Sequence, residues 1–130
     1  EKYGFCEEVI FDDCANEKLL ICIGNYSNFN NVTKESIEYE KEKKYFFCKK
    51  KKFLSEYSYL TYQKTFPDLL DIYKYNEIKS DYLVKFYNSE NYNYGYIKLN
   101  KYNLNILQRT DLSRITNKFV GNCKIKNLKN

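Results

Sequence analysis

Along most of this chain apolar and polar residues alternate with a period of two, the spacing of a strand that buries one face. "KESIEYEKEK" sets Ile37 and Tyr39 on one face and Glu38 and Glu40 on the other. "DYLVKFY" puts Tyr82, Val84 and Phe86 on one side. "YIKLN" turns Ile97 and Leu99 inward, and "YNLNI" does the same for Tyr102, Leu104 and Ile106. "KFVGNCKI" lines up Phe119, Cys123 and Ile125 around Gly121, while Leu19 to Ile23 is a continuous apolar strand ending at Gly24. Residues 25–31 ("NYSNFNN") read as a polar loop and 91–95 ("NYNYG") as a turn. The expected fold is mainly β: an antiparallel meander of about seven or eight short strands in a small barrel or sandwich. At most one or two short helices are expected. The one segment with helical spacing follows Pro67, where Leu69, Leu70 and Tyr73 form a stripe with Thr65 nearby.

The 130 residues form one domain, 1–130, with no linker, repeat or composition break inside it. Fifteen Tyr and nine Phe, with no Met or Trp, suit pleated, half-buried surfaces better than helices. The Lys, Asn, Ile and Tyr bias indicates an AT-rich coding sequence, which weakens any functional argument from a net charge of +5. The longest apolar run, Leu19 to Ile23, is far below the roughly 20 residues of a membrane-spanning helix.

Five cysteines, Cys6, Cys14, Cys22, Cys48 and Cys123, suggest two disulfides and one leftover thiol in an exported protein. If the sheet closes, its first and last strands become neighbours, and Cys123 is expected to bridge to an N-terminal cysteine. A start at Glu1 with no methionine fits signal-peptide removal, so the expected location is secreted or periplasmic.

Histidine is absent, which removes Ser-His-Asp and Cys-His activation and the commonest general base near neutral pH. No catalytic residue is assigned and no enzyme is expected. The carboxylate pair with the best geometry is Asp68/Asp71, on the face of the expected helix. Cysteine spacings of 8, 8, 26 and 75 suit no zinc site, and the four glycines form no phosphate loop, so no metal or cofactor is expected. Asn25-Tyr26-Ser27 and Asn31-Val32-Thr33 match the glycosylation sequon and mark an exposed loop. The run Lys49 to Lys52 reads as a solvated turn after a buried strand, with Glu38, Glu40 and Glu42 on the neighbouring strand cancelling its field. Nucleic acid is accordingly not an expected partner.

Tyrosine and asparagine together supply rigid contact area and adaptable hydrogen bonding. Segments 57–62 and 87–96 hold more tyrosines than one small core absorbs, so Tyr57, Tyr59, Tyr87, Tyr92, Tyr94 and Tyr96 are the candidate binding residues. In overall character the chain resembles small Sec-exported effector and inhibitor proteins of AT-rich, host-associated bacteria. That resemblance implies a protein-binding module, with hydrolases such as papain-like proteases or lysozyme as targets. The glycine-and-serine loop of periplasmic lysozyme inhibitors is absent. A carbohydrate-binding or carbohydrate-acting domain, with the same tyrosines stacking on sugar rings, is the alternative.

Overall fold

The alternating segments pair into nine antiparallel strands in the computed structural model, which describes residues 18–57, 69–88 and 93–127. They are β1 (Lys18–Asn30), β2 (Glu35–Lys50), β3 (Phe53–Tyr57), β4 (Leu69–Lys74), β5 (Asn76–Ile78), β6 (Asp81–Asn88), β7 (Asn93–Asn100), β8 (Asn105–Leu112) and β9 (Ile115–Asn127). No helix occurs among the described residues. The sheet order is β4-β3-β2-β1-β9-β8-β7-β6-β5. Its two edges, β4 and β5, are consecutive in the chain, with only Tyr75 between them. One stretch therefore pairs with β3 through its first half and with β6 through its second. The result is a nearly closed meander barrel, a form that leaves little free edge.

Closure makes β1 and β9 neighbours over their whole length, which sets Cys22 opposite Cys123 in register. The two are disulfide-bonded. Above them Gly24 faces Gly121. A Cβ on Gly24 would run into the Val120 carbonyl, and one on Gly121 would come within 2.5 Å of the Ile23 carbonyl, so the strands approach closely here because both residues lack side chains. Cys48 is also disulfide-bonded.

The inward faces of all the long strands build the main core: Leu20, Cys22, Phe47, Leu54, Tyr82, Val84, Ile97, Leu99, Ile106 and Phe119. Gly95 leaves the room that the Phe86 ring fills. A smaller cluster of Leu19, Phe46 and Cys48, with Ile21 and Tyr57 packed against it, lies on the other face of β1, β2 and β3. Both faces of "YFFC" are thus buried.

Several expectations need correction. The stripe Leu69, Leu70 and Tyr73 belongs to strand β4, since Leu54, Ser55 and Glu56 of β3 offer it a ladder and only Tyr73 turns inward. Asp71 then lies opposite Glu56, while Asp68, Thr65 and Pro67 fall outside the described residues. The polar stretch 25–30 is the second half of β1, and the turn is confined to 31–34. Residues 93–95 are likewise part of β7. Tyr102 sits half-exposed in the turn before Leu104. Glu38, Glu40 and Glu42 are on the same strand as the lysine run, at the opposite end of the 16-residue β2.

Candidate ligand site at one mouth of the barrel

Antiparallel order gives the barrel two ends. The turns at 51–52, 79–80 and 101–103 gather at one, and the turns at 31–34 and 113–114 at the other. At the first end, backbone hydrogen bonds tie turn to turn: the Tyr75 amide donates to the Lys52 carbonyl and the Lys101 amide to the Ser80 carbonyl. The Tyr75 hydroxyl donates to the Lys50 carbonyl at 2.8 Å. Lys49, expected in solvent, is only 6% exposed and lies with its ammonium 4.9 Å from the Tyr82 ring centre. The lysine run is therefore split: Lys50, Lys51 and Lys52 are solvated, and Lys49 turns inward. This end is closed.

The other end is built differently. Inward positions of β1 continue from Gly24 to Tyr26 and Asn28, and on β9 the register partners of these two are Phe119 and Asn117. On β8, Gln108 lies opposite Phe119 and Thr110 opposite Asn117. Tyr26, Tyr45, Gln108, Thr110, Asn117, Lys118 and Phe119 line a cavity of about 160 Å³, room for about five water molecules at ~30 Å³ each. Tyr45 packs edge-on against Phe119, with ring centres 4.6 Å apart. The amide oxygens of Asn28, Gln108 and Asn117 are buried without a hydrogen-bond partner. A buried polar atom left unpaired costs about 1–3 kcal/mol, and here two, on Gln108 and Asn117, belong to one cavity lining, with Asn28 opposite Asn117 on β1.

A β-bulge decides which charges reach this mouth. On β2 the inward residues are Phe47, Tyr45 and Lys43, which pairs with Gly24. The register then slips, so that Tyr26 pairs with Glu40 and Asn28 with Glu38. Glu42 takes up the extra residue in the left-handed region, at φ 56°. One added residue reverses the alternation, turning Glu38 and Glu40 inward and Ile37 and Tyr39 outward. Lys43 spans the bulge: its ammonium lies 5.3 Å from the Tyr26 ring centre, 5.6 Å from that of Tyr45 and 3.6 Å from a Glu40 oxygen.

Deeper on the opposite wall, the Tyr73 hydroxyl donates to Glu56 at 3.0 Å, and the Tyr73 ring stacks on Phe86. Burial raises the Glu56 carboxyl above its usual range; Tyr73 opposes this and Asp71 adds to it. Burial, then Glu56, pushes Tyr45 up to about 12. Tyr73 moves in the same direction, through burial and Glu56, and Tyr26 through burial, Glu38 and Glu40. Burial is the largest cause in each case and neighbouring carboxylates add to it, while Lys43 and Lys118 are cations at the same mouth.

Of the tyrosines expected to form the binding surface, the side chains of Tyr57, Tyr94 and Tyr96 are described, Tyr57 on β3 and the other two on β7. Tyr94 and Tyr96 stand on the outer face of β7, Tyr94 exposed and Tyr96 half-buried. Tyr87 is the backbone register partner of Tyr94. Tyr57 is across the barrel on β3, packed into the smaller cluster. Tyr59 and Tyr92 lie outside the described residues. The residues that do converge, Tyr26, Tyr45, Gln108 and Asn117, could have been flagged as polar interruptions of inward apolar series: Gln108 follows Ile106 by two and Asn117 precedes Phe119 by two. A wider concavity of about 700 Å³, lined by Ile23, Leu107, Val120 and Asn122, is on the outer face. Its four asparagines are hydrogen-bonded: Asn122 donates to the Asn103 carbonyl and to Asn105, and the Asn100 and Asn103 side-chain oxygens accept from backbone amides.

Among the described residues, no group of three His, Cys, Asp or Glu side chains is placed to hold a metal ion, and no helix is long and apolar enough to cross a membrane. No protein-family model, curated protein or solved structure matches the chain.

Proposed function

We propose that this protein is a binding barrel that takes a small molecule into its open mouth. The observation that carries this reading is the cavity between Tyr26, Tyr45 and Phe119, with the unpaired buried amide oxygens of Gln108 and Asn117 on its wall. Ligand sites of this kind join apolar and aromatic walls to a few convergent polar groups, and barrel mouths are common places for them. Nothing in the reading calls for catalysis. The cross-strand disulfide fits an oxidising compartment, which supports an exported protein.

A panel of small cations, anions, neutral alcohols and monosaccharides at millimolar concentration tests this. Tyrosine fluorescence serves as readout, since the chain has no tryptophan to mask it. At least one class is expected to bind, and Gln108→Leu is expected to weaken that binding about tenfold, the loss of one hydrogen bond. The variant should keep its melting temperature, because it removes an unpaired polar atom. Silence across the panel, or indifference to Gln108→Leu, sinks the reading.

One observation favours a second reading, a protein-binding module of the effector and inhibitor kind. The β1–β2 hairpin carries Phe29, Val32, Ile37 and Tyr39, all exposed. A contact surface would then be this hairpin rather than the tyrosines of β6 and β7.

A further inference from the structure

We infer that the mouth is a site for a small organic ammonium, and that Lys43 is the protein's own stand-in for it, its ammonium lying between Tyr26 and Tyr45 where the ligand's would. This rests on the binding-barrel reading and names the ligand class.

Three independent features point to a cation. The first is occupancy by like chemistry: Lys43 stands over two ring faces beside a carboxylate, the arrangement by which aromatic cages hold ammonium groups. Lys43 side-chain exposure of 33% and the 3.6 Å distance to Glu40 describe a loose, half-solvated contact that a competitor can replace. The second is the charge of the inward wall. Glu38 and Glu40 face in beyond the bulge, and Glu56 and Asp71 face each other across β3 and β4. The third is hydrogen-bond supply. The cavity wall carries unpaired acceptors on Gln108 and Asn117, with that of Asn28 at the neighbouring position of β1, and a primary ammonium is a compact source of three donors. An anion would meet the acidic wall and leave the acceptors unpaired.

The cavity sets the size. About 160 Å³ admits an amine with one ring or a short chain. Charge and lumen are tested together by three probes of one shape: phenethylammonium, 2-phenylethanol and phenylacetate, titrated against wild type, Lys43→Gln and Glu56→Gln. Phenethylammonium is expected to bind at least about tenfold tighter than 2-phenylethanol. Lys43→Gln is expected to tighten it further by about 2–30-fold, the value of one cation over a ring. Glu56→Gln should weaken the ammonium and leave the alcohol unchanged. Thermal melts of both variants confirm that they fold.

Other outcomes overturn the inference while sparing the barrel reading. If the alcohol binds as tightly as the ammonium, charge plays no part. Phenylacetate binding best, and failing in Lys43→Gln, would make Lys43 an anion anchor. An ammonium affinity unchanged or reduced in Lys43→Gln removes the stand-in role. Should all three probes fail while another class of the panel binds in a Gln108-dependent way, the ammonium inference falls alone. Failure of the whole panel removes both.

Discussion

Among the described residues, lysine stands over tyrosine at both ends of the barrel, and burial makes the two arrangements different devices. At the closed end the Lys49 ammonium lies 4.9 Å from the Tyr82 ring centre and 5.9 Å from that of Tyr75. Lys101 adds a second cation 5.5 Å from the Tyr82 ring and is itself held by Glu77 at 2.8 Å. Tyr75 and Tyr82 pack edge to face, and both are buried. At the open mouth Lys43, Tyr26 and Tyr45 are all half-buried, with a cavity beside them. The same side-chain chemistry is a plug where neighbouring turns seal it and a binding surface where they do not. The difference comes from the surroundings. Tight turns after β2, β5 and β7 close one end, whereas at the other a bulge in β2 turns Glu38 and Glu40 to the inward face.

The comparison breaks most visibly under truncation. Tyr82→Ala is expected to cost about 3–5 kcal/mol, the range for deleting a large buried aromatic side chain. Tyr45→Ala, at the mouth, is expected to cost only about 1–2 kcal/mol, in keeping with partial burial. Urea unfolding with a common slope measures both. Equal losses would make the mouth an ordinary part of the core.

How much of this was legible in the sequence follows the same division. The closed body was. Tyr82 with Val84, Ile97 with Leu99 and Phe119 with Cys123 are inward-facing pairs that alternation alone assigns, and a meander that closes must bring the strand of Cys22 to that of Cys123. The mouth was not. Glu38 and Glu40 alternate with Ile37 and Tyr39, but which pair faces in depends on a bulge, and a bulge is a register event between two strands that no period reveals. Asn28 and Asn117 are lost in an asparagine-rich background. Leu69, Leu70 and Tyr73 carry helical spacing, yet β3 offers them a ladder that local preference cannot foresee.

A finer test isolates the cation–ring couplings themselves. Double-mutant cycles with Lys49→Met and Tyr82→Leu at one end, and Lys43→Met and Tyr45→Leu at the other, remove each pair without adding charge. The desolvated pair is expected to couple by about 2 kcal/mol and the half-solvated pair by about 0.5–1 kcal/mol. Added salt should reduce the second and barely touch the first, because buried pairs are screened much less. A mouth coupling as large and as salt-independent as that of the closed end would mean that Lys43 is fixed, and a fixed lysine is not one that a ligand displaces.

The smallest effect is the most specific to the mouth. Burial raises the Glu56 carboxyl above its unfolded value of 4.5. A raised acid has no cost to folding below the unfolded value, where both states are protonated. The cost develops as pH climbs from there through the folded value, because the unfolded chain releases its proton first. Glu56→Gln should therefore raise the melting temperature at pH 7, with the gain vanishing well below pH 4.5. Gln keeps an oxygen for the Tyr73 hydroxyl, so the change tests charge rather than the hydrogen bond. Melting curves of wild type and variant across that range decide it. A loss of stability at pH 7 would mean that the carboxylate is compensated in the folded protein and does not make the mouth acidic. A gain, paired with weaker ammonium binding by the same variant, is the trade expected of a charge kept for its ligand at the expense of the fold.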